Sequence, residues 1–303
     1  KKKERESGWP IVSFIPYNNA MVCFITEIGF CNGVTRAIEK RKADGKGKKL
    51  YLLHPLMHNE IENGKLRKEL NATLLDGDFS DFEFPSDALL VFSAHGTEEH
   101  KKETAKKKGI PYLETTCPII NSRLKQLFSH LDGCRIFYLG KPTHPETISF
   151  LENNPEAIYL QSEKDIPLPD PKTNKAVLFT QSTLPTELIE NAKERVISKG
   201  YTLSYKSSPC PVYEHRLTQA LEALKDREIP FTYAVLGDKS SSNTNGLLDG
   251  IKEKYPDSNG FILSSPKDIV KENRQGRDIF LACSTSISKE SALEIYTALV
   301  KLS

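Results

Sequence analysis

Residues 112–120 read YLETTCPII: a short extended run, a polar turn, then a cysteine that opens a helix. The same plan recurs at residues 25–34, ITEIGFCNGV, and at residues 203–212, LSYKSSPCPV. The three cysteines, Cys31, Cys117 and Cys210, lie 86 and 93 residues apart. That interval is too long for a solenoid repeat, but it suits a small domain present three times.

Working outward from these cysteines, β-branched runs alternate with amphipathic stretches, the pattern of an α/β protein with parallel sheets. Twelve strands are expected, in three sets of four. They fall near 21–27, 50–54, 73–76 and 88–93, then 111–115, 135–140, 157–162 and 176–181, then 202–207, 231–237, 260–265 and 278–284. The fold class that follows is α/β: three similar small domains with mostly parallel four-stranded sheets. Edges are expected near residues 116 and 208, giving domains 21–116, 117–208 and 209–303 after an N-terminal segment, 1–20, without a fold of its own.

The second strand of each set ends in a polar loop: YLLHPLMHNE with His58, FYLGKPTHPE with His144, VLGDKSSSNTN with Ser241 and Asn243. The fourth does likewise: LVFSAHGTEE with His95, LFTQSTLP with Ser182 and Thr183, LACSTSIS with Ser286. Ligands of open parallel sheets sit beyond the carboxyl ends of strands, where helix starts present unpaired N–H groups to anions. Three domains about a common axis would aim these ends at one central cavity. Helix capping is the readier explanation of any lone Ser, Thr or Asn. Histidine is not a strong N-cap, so His58, His95 and His144 favour a binding site. Neither nucleotide fingerprint, G-x-x-x-x-G-K-[ST] or G-x-G-x-x-G after a strand, is present. A small phosphate or diphosphate ester fits the donor mixture.

Cys23, Cys134 and Cys283 lie in or beside apolar strands and read as packing residues. Cys31, Cys117 and Cys210 differ, because a helix N-terminus favours thiolate. Thiolates suit zinc, copper(I) or iron–sulfur clusters, and without a C-x-x-C hairpin a zinc ribbon is disfavoured. Glu146, two residues after His144 at a helix start, is placed to hold or deliver a proton, or simply to complement the helix dipole.

Composition removes whole classes of function. A net charge of +2 on 303 residues gives no global reason to bind nucleic acid, and no apolar run approaches a membrane span. Six cysteines in a chain this long point to reduced thiols rather than a disulfide framework. The chain begins at Lys1, so an upstream targeting piece fits as readily as none; a bacterial cytoplasm, or a plastid after transit-peptide removal, is the expected compartment.

Taken in order, GFCNGVTRAIEK, HPLMHNE, LLVFSAHGTEEHKKETAKKKG, TTCPII, GKPTHPE, FTQSTL, SSPCP, GDKSSSNTN and STSIS closely resemble the LytB/IspH family of 4-hydroxy-3-methylbut-2-enyl diphosphate reductases of the non-mevalonate isoprenoid pathway. The resemblance covers nearly all the chain after about residue 21. It implies a pseudo-threefold cloverleaf in which Cys31, Cys117 and Cys210 hold a [4Fe–4S] cluster with one open iron. It also implies that His58, His95, His144, Ser241, Ser242, Asn243 and Ser286 grip the diphosphate, that Glu146 supplies protons, and that Ser182 and Thr183 line the site nearby. Reductive dehydroxylation would yield isopentenyl and dimethylallyl diphosphates, with reduced ferredoxin or flavodoxin as electron donor. Three departures stand beside the site. Ser182-Thr183 replaces the usual Thr-Thr, Thr26-Glu27-Ile28 the usual Asn-Pro-Arg, and GKPTHPE the usual GHAGHPE.

Two other readings compete with the reductase. One is a metal-free phosphoester-binding protein or transferase with structural cysteines. The other is an iron–sulfur electron carrier or sensor.

Overall fold

A computed structural model describes residues 21–75, 77–122, 133–170, 174–184, 186–205, 210–270 and 278–301. Residues 1–20, the ends of two expected strands (76 and 206–207) and the loop before Cys210 lie outside the described residues.

Among the described residues, twelve strands form three four-stranded sheets, and every pairing is parallel. The first sheet holds β2 (Lys49–Leu52), β3 (Thr73–Leu74), β4 (Ala88–Val91) and β5 (Tyr112–Leu113). The second holds β6 (Arg135–Leu139), β7 (Ile158–Tyr159), β8 (Lys175–Thr180) and β9 (Thr202–Tyr205). The third holds β10 (Thr232–Leu236), β11 (Asn259–Leu263) and β12 (Ile279–Cys283), completed by β1 (Val22–Phe24) from the start of the described chain.

The spatial orders are β3-β2-β4-β5, β7-β6-β8-β9 and β11-β10-β12-β1. The same order thus occurs three times. In each, the direction of winding reverses between the two middle strands, the switch point where open α/β sheets bind ligands.

This membership corrects the expected strand sets. The strand that runs into each cysteine pairs not with the strands after it but with the preceding sheet. Thus β1 pairs with β12 through Val22↔Ile279, β5 with β4 and β9 with β8. A cyclic repeat has no phase, so its periodicity alone does not say where one unit stops. The consequence matters for function: each cysteine stands where the chain crosses from one sheet to the next.

Helices α1 (Asn32–Asp44), α2 (Glu60–Glu69), α3 (Glu99–Lys107), α4 (Pro145–Asn153), α5 (Thr186–Ser198), α6 (Pro211–Leu224), α7 (Ser242–Lys254) and α8 (Lys289–Lys301) cover the sheets. Residues 118–122 are also helical. In the third lobe, α6 and α7 bury Ala220, Leu224, Leu247 and Ile251 against Tyr233, Val235 and Phe280. On the opposite face α8 buries Ile295 and Leu299 against Ala234, Leu236 and Leu281. Alternate strand residues therefore feed opposite faces, as the pleat requires. At about 25 cal/mol per Å2 of apolar surface, these side chains are worth roughly 1.5–3 kcal/mol each when fully buried.

Candidate functional site

Cys31 and Cys210 are the residues immediately before α1 and α6, and Cys117 precedes the helical residues 118–122. One hydrogen bond recurs at all three. Cys31 N–H donates to Thr285 O at 3.0 Å, Cys117 N–H to Ala94 O at 2.9 Å, and Cys210 N–H to Ser182 O at 2.8 Å. Each acceptor lies in the loop after the middle strand that neighbours the cysteine's own strand. Backbone pairing therefore locks every cysteine to a switch-point loop.

The sulfurs of two cysteines converge visibly. A Cβ built on Gly33 would lie 2.9 Å from Cys117 Sγ and 3.8 Å from Cys31 Sγ. Gly29 has φ +104°, a backbone turn that favours glycine, just before Cys31. Its carbonyl accepts from Arg216 Nη2 at 2.6 Å, while Arg216 Nη1 donates to Cys283 O and Ser284 O. Burial lowers the Arg216 pKa, opposed by Cys283, Cys31, Glu27 and Cys210. Cys23, Cys134 and Cys283 join apolar clusters, and Cys210 also packs against the third lobe's core; burial pushes the thiols of Cys23 and Cys283 up to about 11 and about 12.

The loop whose Ala94 carbonyl holds the Cys117 N–H also carries His95, one of a cluster of three imidazoles. His58 lies 4.7 Å from His95 and 4.7 Å from His144 between ring centroids, and His95 to His144 is 5.8 Å. His144 does cap its helix, contrary to the expectation from its residue type. Its Nδ1 accepts from Glu146 N–H at 3.2 Å, which leaves the neutral ring's proton on Nε2 as a donor. Buried His58 Nε2 and His95 Nδ1 have no hydrogen-bond partner. Desolvation is the largest cause lowering all three pKa values, with His144 at about 3. The neighbouring imidazoles and Lys141 add to it, while Asp238 opposes it at His58.

Glu146 is buried and tightly held: Ser182 N–H donates to both carboxylate oxygens, at 3.2 and 3.1 Å, and Ser182 Oγ to Oε2 at 2.7 Å. Thr183 Oγ1 accepts from Gln181 Nε2 at 2.9 Å, and the same amide reaches Ser242 Oγ at 3.4 Å. Ser241 Oγ caps α7 by accepting from Thr244 N–H. Asn243 Nδ2 donates to Thr285 Oγ1 at 2.7 Å, and Ser286 Oγ to His58 O at 3.4 Å. These bonds join site loops within a lobe at Glu146–Ser182 and Asn243–Thr285, and between lobes at Gln181–Ser242 and Ser286–His58.

Four members of this network were missed in the sequence. Gln181 and Thr285 stand inside the quoted strand ends, so their signal was present. Asn59, whose Nδ2 donates to Ser286 O at 3.0 Å, follows His58 directly. Arg216 lies on a helix remote from every motif and carried no local signal.

Among the described residues, no group of three His, Cys, Asp or Glu closes tightly enough to hold a metal ion. The donor set instead suits a polynuclear iron–sulfur group, which takes thiolates on separate irons. Two sulfurs over one glycine and a third cysteine at the matching junction agree with that group. Among the described residues no helix is long and apolar enough to cross a membrane.

The LytB protein family matches residues 22–300. The chain is 30% identical over 260 residues to the 4-hydroxy-3-methylbut-2-enyl diphosphate reductase of Francisella philomiragia subsp. philomiragia, covering 80% of this chain and 76% of that protein. It is 28% identical over 260 residues to the enzyme of the same name from Actinobacillus pleuropneumoniae serotype 7, covering 80% and 77%. The solved E-1-hydroxy-2-methyl-but-2-enyl-4-diphosphate reductase from Plasmodium falciparum superposes with a TM-score of 0.79 at 24% identity, covering 92% of this chain and 87% of that one. A second solved structure, of (E)-4-hydroxy-3-methyl-but-2-enyl diphosphate reductase, gives 0.65 at 21%, covering 93% and 99%. These two likenesses establish the fold.

Proposed function

The chain belongs to the LytB protein family, and from that premise we propose that it is an iron–sulfur reductase acting on 4-hydroxy-3-methylbut-2-enyl diphosphate. The reaction consumes two electrons and two protons, replaces the allylic C–O bond by C–H, and releases water. Its products are isopentenyl and dimethylallyl diphosphates. The observation that carries this reading is the meeting of thiol-bearing helix starts with an imidazole cluster whose buried nitrogens lack partners.

Cys31, Cys117 and Cys210 are the residues to hold a [4Fe–4S] cluster, which when bound supplies single electrons and one iron without a protein ligand. His58, His95 and His144, with Ser241, Ser242, Asn243 and Ser286, take the diphosphate and fix the reacting carbon through binding remote from it. His144 offers its Nε2–H to a phosphate oxygen. Glu146 delivers a proton to the departing hydroxyl oxygen, and Ser182 holds its carboxylate in one orientation. Thr183 and Gln181 tie that arrangement to Ser242. The free state of all six cysteines suits a reducing compartment such as the bacterial cytoplasm.

The test is anaerobic purification followed by turnover with a reduced dye, scoring both products. Brown protein that loses its colour in Cys117→Ser, and turns over, supports the proposal. Glu146→Gln should keep colour and substrate binding while lowering turnover roughly a hundredfold or more. A colourless, folded, metal-free protein that binds the diphosphate would support the phosphoester-binding reading instead. Colour without turnover would indicate an electron carrier.

A further inference from the structure

Gly33, Arg36, Ala37 and Lys40 form one stripe along α1 at helical spacing. This stripe lines a cleft of about 370 Å3 whose other wall includes Glu114, Thr116 and Asn121. At the Gly33 end the helix carries no side chain, and the sulfurs of Cys117 and Cys31 lie directly beneath. No residue assigned above to the diphosphate lines this cleft. The cleft therefore ends one glycine away from the two thiols, on a side that none of those residues lines.

Charge gives that side a sign. Lys40 Nζ donates to the Glu114 carbonyl at 2.8 Å. The Glu114 carboxylate is already engaged by Lys102 at 3.0 Å and by Thr116 Oγ1. Arg36 is exposed at the rim, and exposed Lys46, Lys48 and Lys49 extend past the end of α1, outnumbering the exposed Glu39 and Asp44 of the same stretch. With a net charge of only +2 on the whole chain, this is a local concentration.

We propose that the α1 cleft and its basic rim are the docking surface for an acidic one-electron carrier protein, which passes electrons to the thiolate-bound group through the Gly33 gap. The proposal rests on the reductase reading above. Each docking event oxidises one carrier and transfers one electron. Two events supply the two electrons that, with two protons, turn the substrate's C–OH into C–H and water. Electron transfer weakens steeply with distance, and a glycine beside two sulfur ligands is where a partner approaches most closely. Opposite charge speeds and orients such an encounter.

The experiment uses anaerobic holoprotein and an acidic [2Fe–2S] ferredoxin as probe. The variants are Arg36→Glu, Arg36→Glu/Lys46→Glu and, as a remote control, Lys225→Glu/Lys254→Glu at the far ends of α6 and α7. Calorimetric Kd for the ferredoxin should rise about tenfold or more in the first two and stay unchanged in the control. Wild-type affinity should fall as salt is added. Ferredoxin-driven turnover should drop with the affinity, while dye-driven turnover stays within about twofold of wild type, since the charges are screened from the substrate. Unchanged Kd in the first two variants, equal weakening in the control, or absent ferredoxin binding would each overturn the docking surface. Failure of dye-driven turnover in the wild type would instead sink the reductase reading, and charge-dependent ferredoxin binding would stand without it.

Discussion

Ser182 shows how one residue serves two centres. Its backbone carbonyl holds the Cys210 N–H, and its N–H and Oγ–H hold the Glu146 carboxylate. Removing the hydroxyl in Ser182→Ala deletes only the 2.7 Å bond to Oε2. A hydrogen bond to a charged group is worth about 1.5–3 kcal/mol, so kcat should fall roughly tenfold to a hundredfold. KM should move little, because the diphosphate donors are elsewhere. Ser182→Thr keeps the hydroxyl and should retain most of the rate. Steady-state kinetics with a reduced dye decides it. A Ser182→Ala enzyme with wild-type kcat would remove this bond from the proton-delivery geometry.

At the scale of elements, Arg216 on α6 joins segments far apart in the chain: the turn at Gly29 and the end of β12 at Cys283 and Ser284. Arg216→Met would remove the guanidinium from three backbone carbonyls, of which Ser284 O keeps another donor, the Ile287 N–H. It should cost about 3 kcal/mol or more, read from urea unfolding, and should lower the iron bound per chain. Arg216→Lys should not rescue it, since an ammonium cannot reproduce the planar fork. Full stability in Arg216→Met would show that the turn holds itself. This residue also marks what the sequence could and could not disclose. Twelve strands and the polar ends after β2, β4, β6, β8, β10 and β12 were legible, because strand runs and concentrated Ser, Thr, Asn and His are local signals. The partner of each cysteine-leading strand was not, because pairing such as Val22↔Ile279 is a long-range choice that local pattern does not encode. Arg216 was silent for the same reason: its acceptors are backbone carbonyls, one of them 187 residues away. The capping by His144 was hidden differently, since it depends on a ring orientation that residue type does not fix.

Over the whole molecule, three lobes meet at a site prepared for charge that the free protein does not carry. Desolvation lowers the pKa values of His58, His95 and His144, mutual proximity and Lys141 lower them further, and Asp238 opposes this only at His58. At neutral pH the empty cluster is therefore uncharged. In the free protein the unfolded chain binds more protons than the folded one between the ordinary histidine pKa of about 6.5 and the His144 value of about 3. Stability of the empty protein should accordingly decline as pH falls through that window. A bound diphosphate reverses the balance, because its negative charge beside the rings favours their protonated forms and raises their pKa values. Binding near pH 7 should then take up protons, and affinity for an unreactive allylic diphosphate should weaken as pH rises above neutrality. Calorimetry in buffers of differing ionisation enthalpy reads the number directly, as the slope of apparent binding enthalpy. A positive uptake that shrinks in His58→Ala is the expected result. His144→Ala should leave the uptake nearly unchanged, because its Nδ1 accepts from Glu146 N–H, and should weaken affinity by about 1.5–3 kcal/mol through the lost Nε2–H bond to a charged oxygen. Zero uptake, or proton release, would mean that the imidazoles stay neutral throughout and meet the anion only as N–H donors, as His144 Nε2 does.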